Sequence, residues 1–332
     1  VEATASVFIE LIRQNKFTQT ELLQFTKEGK NTYPDTVPLA GLEHRNLHKE
    51  TAALLSSQKP ERSGEETQVE TLPFCHLHTH TQFSVLQSTI SISKLVQEAV
   101  SMNMPAVAIS DIGNLMGAFH FVKAVNKHNK SLEEGMGSPI KSIIGITLNV
   151  CANHLDRSHR DDGFQIVLIA KNKNGYHNLA KLTSIAHIKG FYYVPRVDRG
   201  LILNYKEDII VLTGNLYGEV PYKVLNIGAQ QAEDSLLWWK EHFGSDLYIE
   251  LMRHNQEDET RVNTTLVELA NKHSVKMVAS NSCYYLKKEE ANAHDILLCV
   301  KDGEKQSTPI GRGRGYRYGL PAGHTLLLPI TL

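Results

Sequence analysis

Three histidines alternate in His76-Leu77-His78-Thr79-His80, a run bounded by Pro73-Phe74 and by Thr81-Gln82. Alternate residues of a β-strand share a face, so a strand here would line up three imidazoles opposite Leu77. A neutral imidazole binds zinc, manganese or iron through its unprotonated nitrogen, and two on one strand end fix part of a coordination sphere. The plain alternative is a histidine-rich strand that packs or faces water. Asp111 and His254 also stand where strands are expected to end, so they join His78 and His80 as candidates.

Such residues need a scaffold that gathers strand ends. After Pro73 the sequence alternates short apolar runs with amphipathic stretches, predicting strands over 74–80, 106–110, 142–150, 165–170, 209–213, 247–252 and 276–280. Helices are predicted over 91–102, 115–128, 175–187, 232–242, 259–273 and 289–300. Sustained strand–helix alternation argues for an α/β fold with a parallel sheet. No glycine-rich phosphate loop follows the first strand, which disfavours a dinucleotide-binding fold. A (βα) barrel brings its chemistry to the C-terminal strand ends, which suits His78, His80, Asp111 and His254.

Ahead of this region the chain is different. Residues 3–14 suit a helix, Thr18 and Glu21 form a capping box for a second short one, and 27–71 reads as linker. The chain opens on Val1 in what reads as mid-helix, which predicts a longer parent. With 41% hydrophobic residues in 332, there is enough apolar material for a sizeable core. A net charge of −1 leaves no global attraction to nucleic acid, so any such contact must be local. Cys75, Cys151, Cys283 and Cys299 form no Cys-x-x-Cys pair and are expected to be reduced. The first residues given lack the basic and apolar regions of a secretory signal, and no apolar run is long enough for a membrane span, so the expectation is a cytoplasmic protein with no membrane partner.

His78-Thr79-His80-Thr81 with Ser84, followed by Ala108-Ile109-Ser110-Asp111-Ile112-Gly113-Asn114, resembles the first two motifs of the PHP (polymerase and histidinol phosphatase) domain. Three further stretches narrow the resemblance: Gly175-Tyr176-His177-Asn178-Leu179, Gly190 to Asp198, and Ala293-His294-Asp295-Ile296-Leu297-Leu298. Together these are similar to the N-terminal PHP domain of bacterial DNA polymerase III alpha subunits. Residues 1–14 are similar to the last helix of a DEDD-type exonuclease, which in some lineages is fused ahead of that subunit. The resemblance implies a distorted (βα)7 TIM-like barrel over 72–303, preceded by exonuclease-like helices (1–26) and the linker, with 304–332 starting the connection to a polymerase core.

Active members of the family resemble metal-dependent phosphoesterases, whose clustered divalent ions need many histidines and carboxylates. This chain keeps His78, His80 and His254 as metal ligands and Asp111 as a strand-end site residue. Gln87, Ile112, Thr147, Gln165, Ser282 and Tyr284 stand where the family implies further ligands. Three histidines could hold at most one zinc with water in the fourth position. A divalent metal, zinc or manganese, is the cofactor the resemblance raises, and so thin a ligand set argues against it; no catalytic residue is assigned. For Asp111 the plainer role is capping the helix expected near Leu115.

Arg312, Arg314 and Arg317 alternate with glycine and tyrosine in 311–319, a composition suited either to nucleic-acid contact or to a flexible connector. Trp238-Trp239 predicts core packing or docking onto another domain. The leading expectation is a scaffold within a DNA-directed DNA polymerase. The parent would use magnesium in a polymerase domain outside this sequence, and its partners would be DNA and other subunits of the replicative holoenzyme. An active PHP 3'-5' exonuclease and a histidinol-phosphatase-like hydrolase are the alternatives.

Overall fold

The computed structural model describes residues 74–132, 138–254, 256–311, 315–320 and 324. The helices and linker expected within 1–71, and Arg312 and Arg314, lie outside the described residues.

Apolar spacing sets the elements. Ile92, Leu95, Val96 and Ala99 form the buried stripe of α1 (Ile92–Ser101), an i, i+3, i+4, i+7 pattern that gives a helix one apolar face. β1 (Ala106–Ile109) is buried throughout, as a strand covered on both faces must be. After it come α2 (Ala118–Lys130), β2 (Lys141–Cys151), β3 (Phe164–Ala170) and α3 (Lys173–Ile188). Asn172 caps α3 by accepting from the N–H groups of Asn174 and Gly175. Next are β4 (Arg196–Asp198), α4 (Arg199–Asn204), β5 (Ile209–Leu212), α5 (Glu219–Asn226), α6 (Ala229–Phe243) and β6 (Leu247–Met252). The series closes with α7 (Glu257–His273), β7 (Lys276–Ser280) and α8 (Ala291–Asp302).

The strands run β1-β2-β3-β5-β6-β7 across one sheet, with β4 beside the far end of β2. Most neighbours are parallel, but β3 is antiparallel to both β2 and β5, which corrects the expectation of a parallel sheet. Residues 152–163 between β2 and β3 carry no helix. A strand pair without a crossover element returns antiparallel.

The histidine segment completes the ring. On one side Ala108 N–H donates to His76 O (2.9 Å) and Ser110 N–H to Thr79 O (2.8 Å). On the other His80 N–H donates to Cys283 O (2.9 Å) and Cys283 N–H to His78 O (3.0 Å). Residues 76–80 therefore lie between β1 and the chain just past β7, and the sheet closes as a distorted barrel. The strand expected over 74–80 is reduced to a single bridge, Thr79 to Cys283. From His76 to Thr79 this segment spans three residues against two of β1, the two-against-one mismatch of a bulge.

Two cores cover the outside of the ring. Ile146, Leu148, Leu168, Val211 and Ile249 pack under α3 to α7, while Val107, Ile109, Leu95 and Phe121 pack under α1 and α2. Val167 and Ile169, which alternate with Leu168, join Leu212 and Leu77 in a small cluster on the opposite, inner face.

Candidate metal centre

The ends of β1, β6 and β7 and the histidine segment bring His78, His80, Asp111, Glu250, His254, Ser282 and Tyr284 to one end of the barrel, all buried. These are C-terminal strand ends, where barrel folds place their sites. His76 turns elsewhere, against Phe74 (5.0 Å between ring centres) and the Cys283 sulfur (3.4 Å).

Each surviving histidine has a different partner. His78 Nδ1 lies 3.1 and 3.2 Å from the two carboxylate oxygens of Glu250 and donates to them. Its Nε2 is buried with no hydrogen-bond partner among the described residues. The His80 ring stacks on Tyr284 at 4.3 Å and meets His78 edge-on at 5.0 Å. Its Nε2 reaches Ser282 Oγ at 3.4 Å, and its Nδ1 is the second unpartnered buried nitrogen. Burial first, and the neighbouring His78 second, hold His80 neutral, well below the usual histidine range.

His254 is fully committed. Ser282 N–H donates to its Nε2 at 3.2 Å, so the ring proton sits on Nδ1 and goes to Glu259. Glu259 also accepts from the His254 backbone N–H at 2.6 Å. Its ring stacks on His324, 3.8 Å away between centres. His324 is tied in turn to Ser282 O through Nδ1 (3.0 Å) and to Tyr284 N–H through its own carbonyl (2.9 Å).

Asp111 does not cap α2, whose first turn receives no side-chain cap. It accepts from Thr81 N–H (2.6 Å), Thr81 Oγ1 (2.8 Å) and Ser84 Oγ (2.7 Å), fixing the turn that follows the histidines. Burial lifts its pKa, although the bonds from Thr81 and Ser84 pull the other way.

The non-ligand positions share in this packing. Thr147 Oγ1 donates to Ser110 O at 2.9 Å, and Ile112 bridges to Thr147. Gln87 O accepts from His294 at 2.8 Å, while Gln165 accepts from Asn215 at 3.2 Å. Arg317, singled out for nucleic-acid contact, is buried and forms a two-bond pair with Asp295 at 2.7 and 2.9 Å.

The two unpartnered nitrogens are what a metal would need, but nothing among the described residues completes a larger set. His254 has no spare lone pair, Glu250 lies against His78 Nδ1 and not against its free Nε2, and Asp111 is filled by donors. Among the described residues no group of three or more His, Cys, Asp or Glu side chains could hold a metal ion. The residues present do not fit a multinuclear centre.

Glu250, Glu259 and His324 are site residues that sequence reasoning missed. Glu250 carried a signal, being the lone carboxylate in the apolar strand Leu-Tyr-Ile-Glu-Leu-Met, where a buried charge demands a partner. Glu259 shares the first turn of α7 with Glu257 and Asp258, and nothing local separates them.

The sequence profile of the PHP domain matches residues 76–254. The DNA polymerase III subunit alpha of Borreliella burgdorferi is 36% identical over 238 residues, covering 70% of this chain and 20% of that protein. That of Treponema pallidum is 37% identical over 243 residues, 72% of this chain and 20% of that protein. The chain thus spans about 20% of the length of these curated relatives. Among solved structures, an amidohydrolase from Chromobacterium violaceum overlays 63% of this chain and 87% of its own at 9% identity. The TM-score of that overlay is 0.41. The profile takes in more than half of the chain, and with it the histidine segment, Asp111 and His254: this chain belongs to the PHP domain family.

Proposed function

We propose that this chain is the PHP portion of a replicative DNA polymerase III alpha subunit, that its hydrolytic site is lost, and that it serves as a scaffold. The observation that carries the reading is Ser282. Standing where the family implies a carboxylate ligand, it gives instead a backbone N–H to His254 and sets its hydroxyl 3.4 Å from His80 Nε2. The parent would carry out DNA-directed DNA synthesis with magnesium in its polymerase domain, in the cytoplasm, with DNA and other holoenzyme subunits as partners. Among the described residues no helix is long and apolar enough to cross a membrane. The expected boundaries, exonuclease-like helices to residue 26, linker to 71 and a PHP domain to 303, belong to the same proposal, as does nucleic-acid contact through Arg312 and Arg314.

The free nitrogens of His78 and His80 favour one second reading, a single zinc or manganese held without a carboxylate. Metal analysis by inductively coupled plasma mass spectrometry, on protein purified without chelator, separates the two. The scaffold reading expects far less than one equivalent and no manganese-dependent cleavage of single-stranded DNA. One equivalent lost in the His78→Ala/His80→Ala variant supports the second reading, and two or more equivalents overturn both.

A further inference from the structure

The outer face of α2 carries a single sign of charge behind a pair of rings. Phe119, His120, Lys123, Asn126, Lys127 and Lys130 follow one another at helical spacing, and all are exposed. The helix contains no carboxylate. The one acid of the neighbouring α1, Glu98, pairs with Lys287 at 3.3 Å. Glu133 and Glu134 follow in the sequence, outside the described residues.

Helix electrostatics explain part of this. Lys127, His128 and Lys130 fall in the last turn, where the unpaired carbonyls attract cations. Lys123 lies outside that turn, and Phe119 is 72% exposed with Met116 beside it at 57%. His120 stacks on Phe83, 5.7 Å between ring centres and 11° between planes. An exposed ring next to a stacked pair, followed by a cationic track, is the arrangement that seats bases and phosphates of an unpaired strand. Lys123 and Lys130 are roughly 10 Å apart along the axis, the run of about three nucleotides at ~3.4 Å each. A net charge of −1 for the whole chain makes this local field the more distinct.

We propose that this face of α2 binds single-stranded nucleic acid, with Phe119 stacking on a base and Lys123, Lys127 and Lys130 each neutralising a phosphate. The inference needs neither the scaffold reading nor a metal, and it stands or falls separately from both.

Fluorescence anisotropy with labelled oligo(dT) and oligo(U) tests it on the full chain. Three phosphate contacts predict a plot of log K against log salt with a slope of roughly −2. Lys123→Glu/Lys127→Glu/Lys130→Glu should weaken binding at least about tenfold. Lys173→Glu/Lys189→Glu/Lys288→Glu, exposed lysines elsewhere with the same charge change, should weaken it far less. Phe119→Ala should cost about tenfold for the oligonucleotides and leave heparin binding unchanged. Preference for dT over U, or the reverse, identifies which strand is held. Absence of binding at low salt, equal losses in the two triple variants, or equal affinity for duplex would overturn the proposal. Circular dichroism melts of each variant establish that a loss is not unfolding.

Discussion

At the scale of single residues, this site is a set of satisfied polar groups with two exceptions. Asp111 shows how satisfaction replaces ligation, because donors from Thr81 and Ser84 converge on its carboxylate. Asp111→Ala would leave the Thr81 N–H and two hydroxyls unpaired and should destabilise the protein by roughly 2 to 4 kcal/mol. Asp111→Asn, which keeps an acceptor, should cost about 1 kcal/mol. Urea denaturation midpoints check both. The candidate residues were legible in the sequence because histidine, aspartate and their neighbours form recognisable runs. Their partners were not, since Glu250 lies 172 positions from His78. His324, part of the 304–332 stretch expected only to lead onward, reaches Ser282 from 42 positions away.

Among elements, the two short helices the sequence left out, α4 and α5, are tied to α6 by charge. Glu219 at the start of α5 accepts from Arg199 (2.7 Å), Lys223 (2.8 Å), Ser235 (3.0 Å) and Trp239 Nε1 (3.1 Å), joining α4, α5 and α6. Trp239 is thereby a core residue, as its apolar helix face suggested. Burial alone would raise the Glu219 carboxyl, but Arg199 and Lys223 outweigh it and hold the group at about 2. A folded-state pKa below the ordinary 4.5 means stability that is complete above pH 4.5 and drains away as the pH falls toward about 2. The full shift is worth roughly 3 kcal/mol at most, trimmed by solvent at Arg199. Glu219→Gln should therefore lower neutral-pH stability by about 2 kcal/mol, and thermal melts between pH 5 and 2 should show a flatter acid limb. Most strands and longer helices were legible from apolar periodicity, within a few residues. β4, α4 and α5 were not, because three to eight residues are too short for periodicity to show. The reversal of β3 has no local signature either, since direction is fixed by what the preceding connection lacks.

For the molecule as a whole, the closure of the barrel rests on a few hydrogen bonds at Cys283. Cys283→Pro removes the N–H that bonds His78 O, and should cost roughly 1 to 3 kcal/mol. Hydrogen exchange would then speed at the His80 amide, which donates to Cys283 O, while the β6–β7 ladder keeps its protection. Unchanged exchange at His80 would mean that the ring is held by packing instead. Closed architecture itself was legible, as strand–helix alternation with chemistry at strand ends pointed to a barrel. The closing segment also has a consequence for biosynthesis. His76 to His80 leave the ribosome before their partner Cys283, which follows about 200 residues later. At about 5–20 residues per second, one flank of the nascent histidine segment stays open for roughly 10 to 40 s. The histidine segment is therefore sealed on both flanks only once Cys283 has emerged.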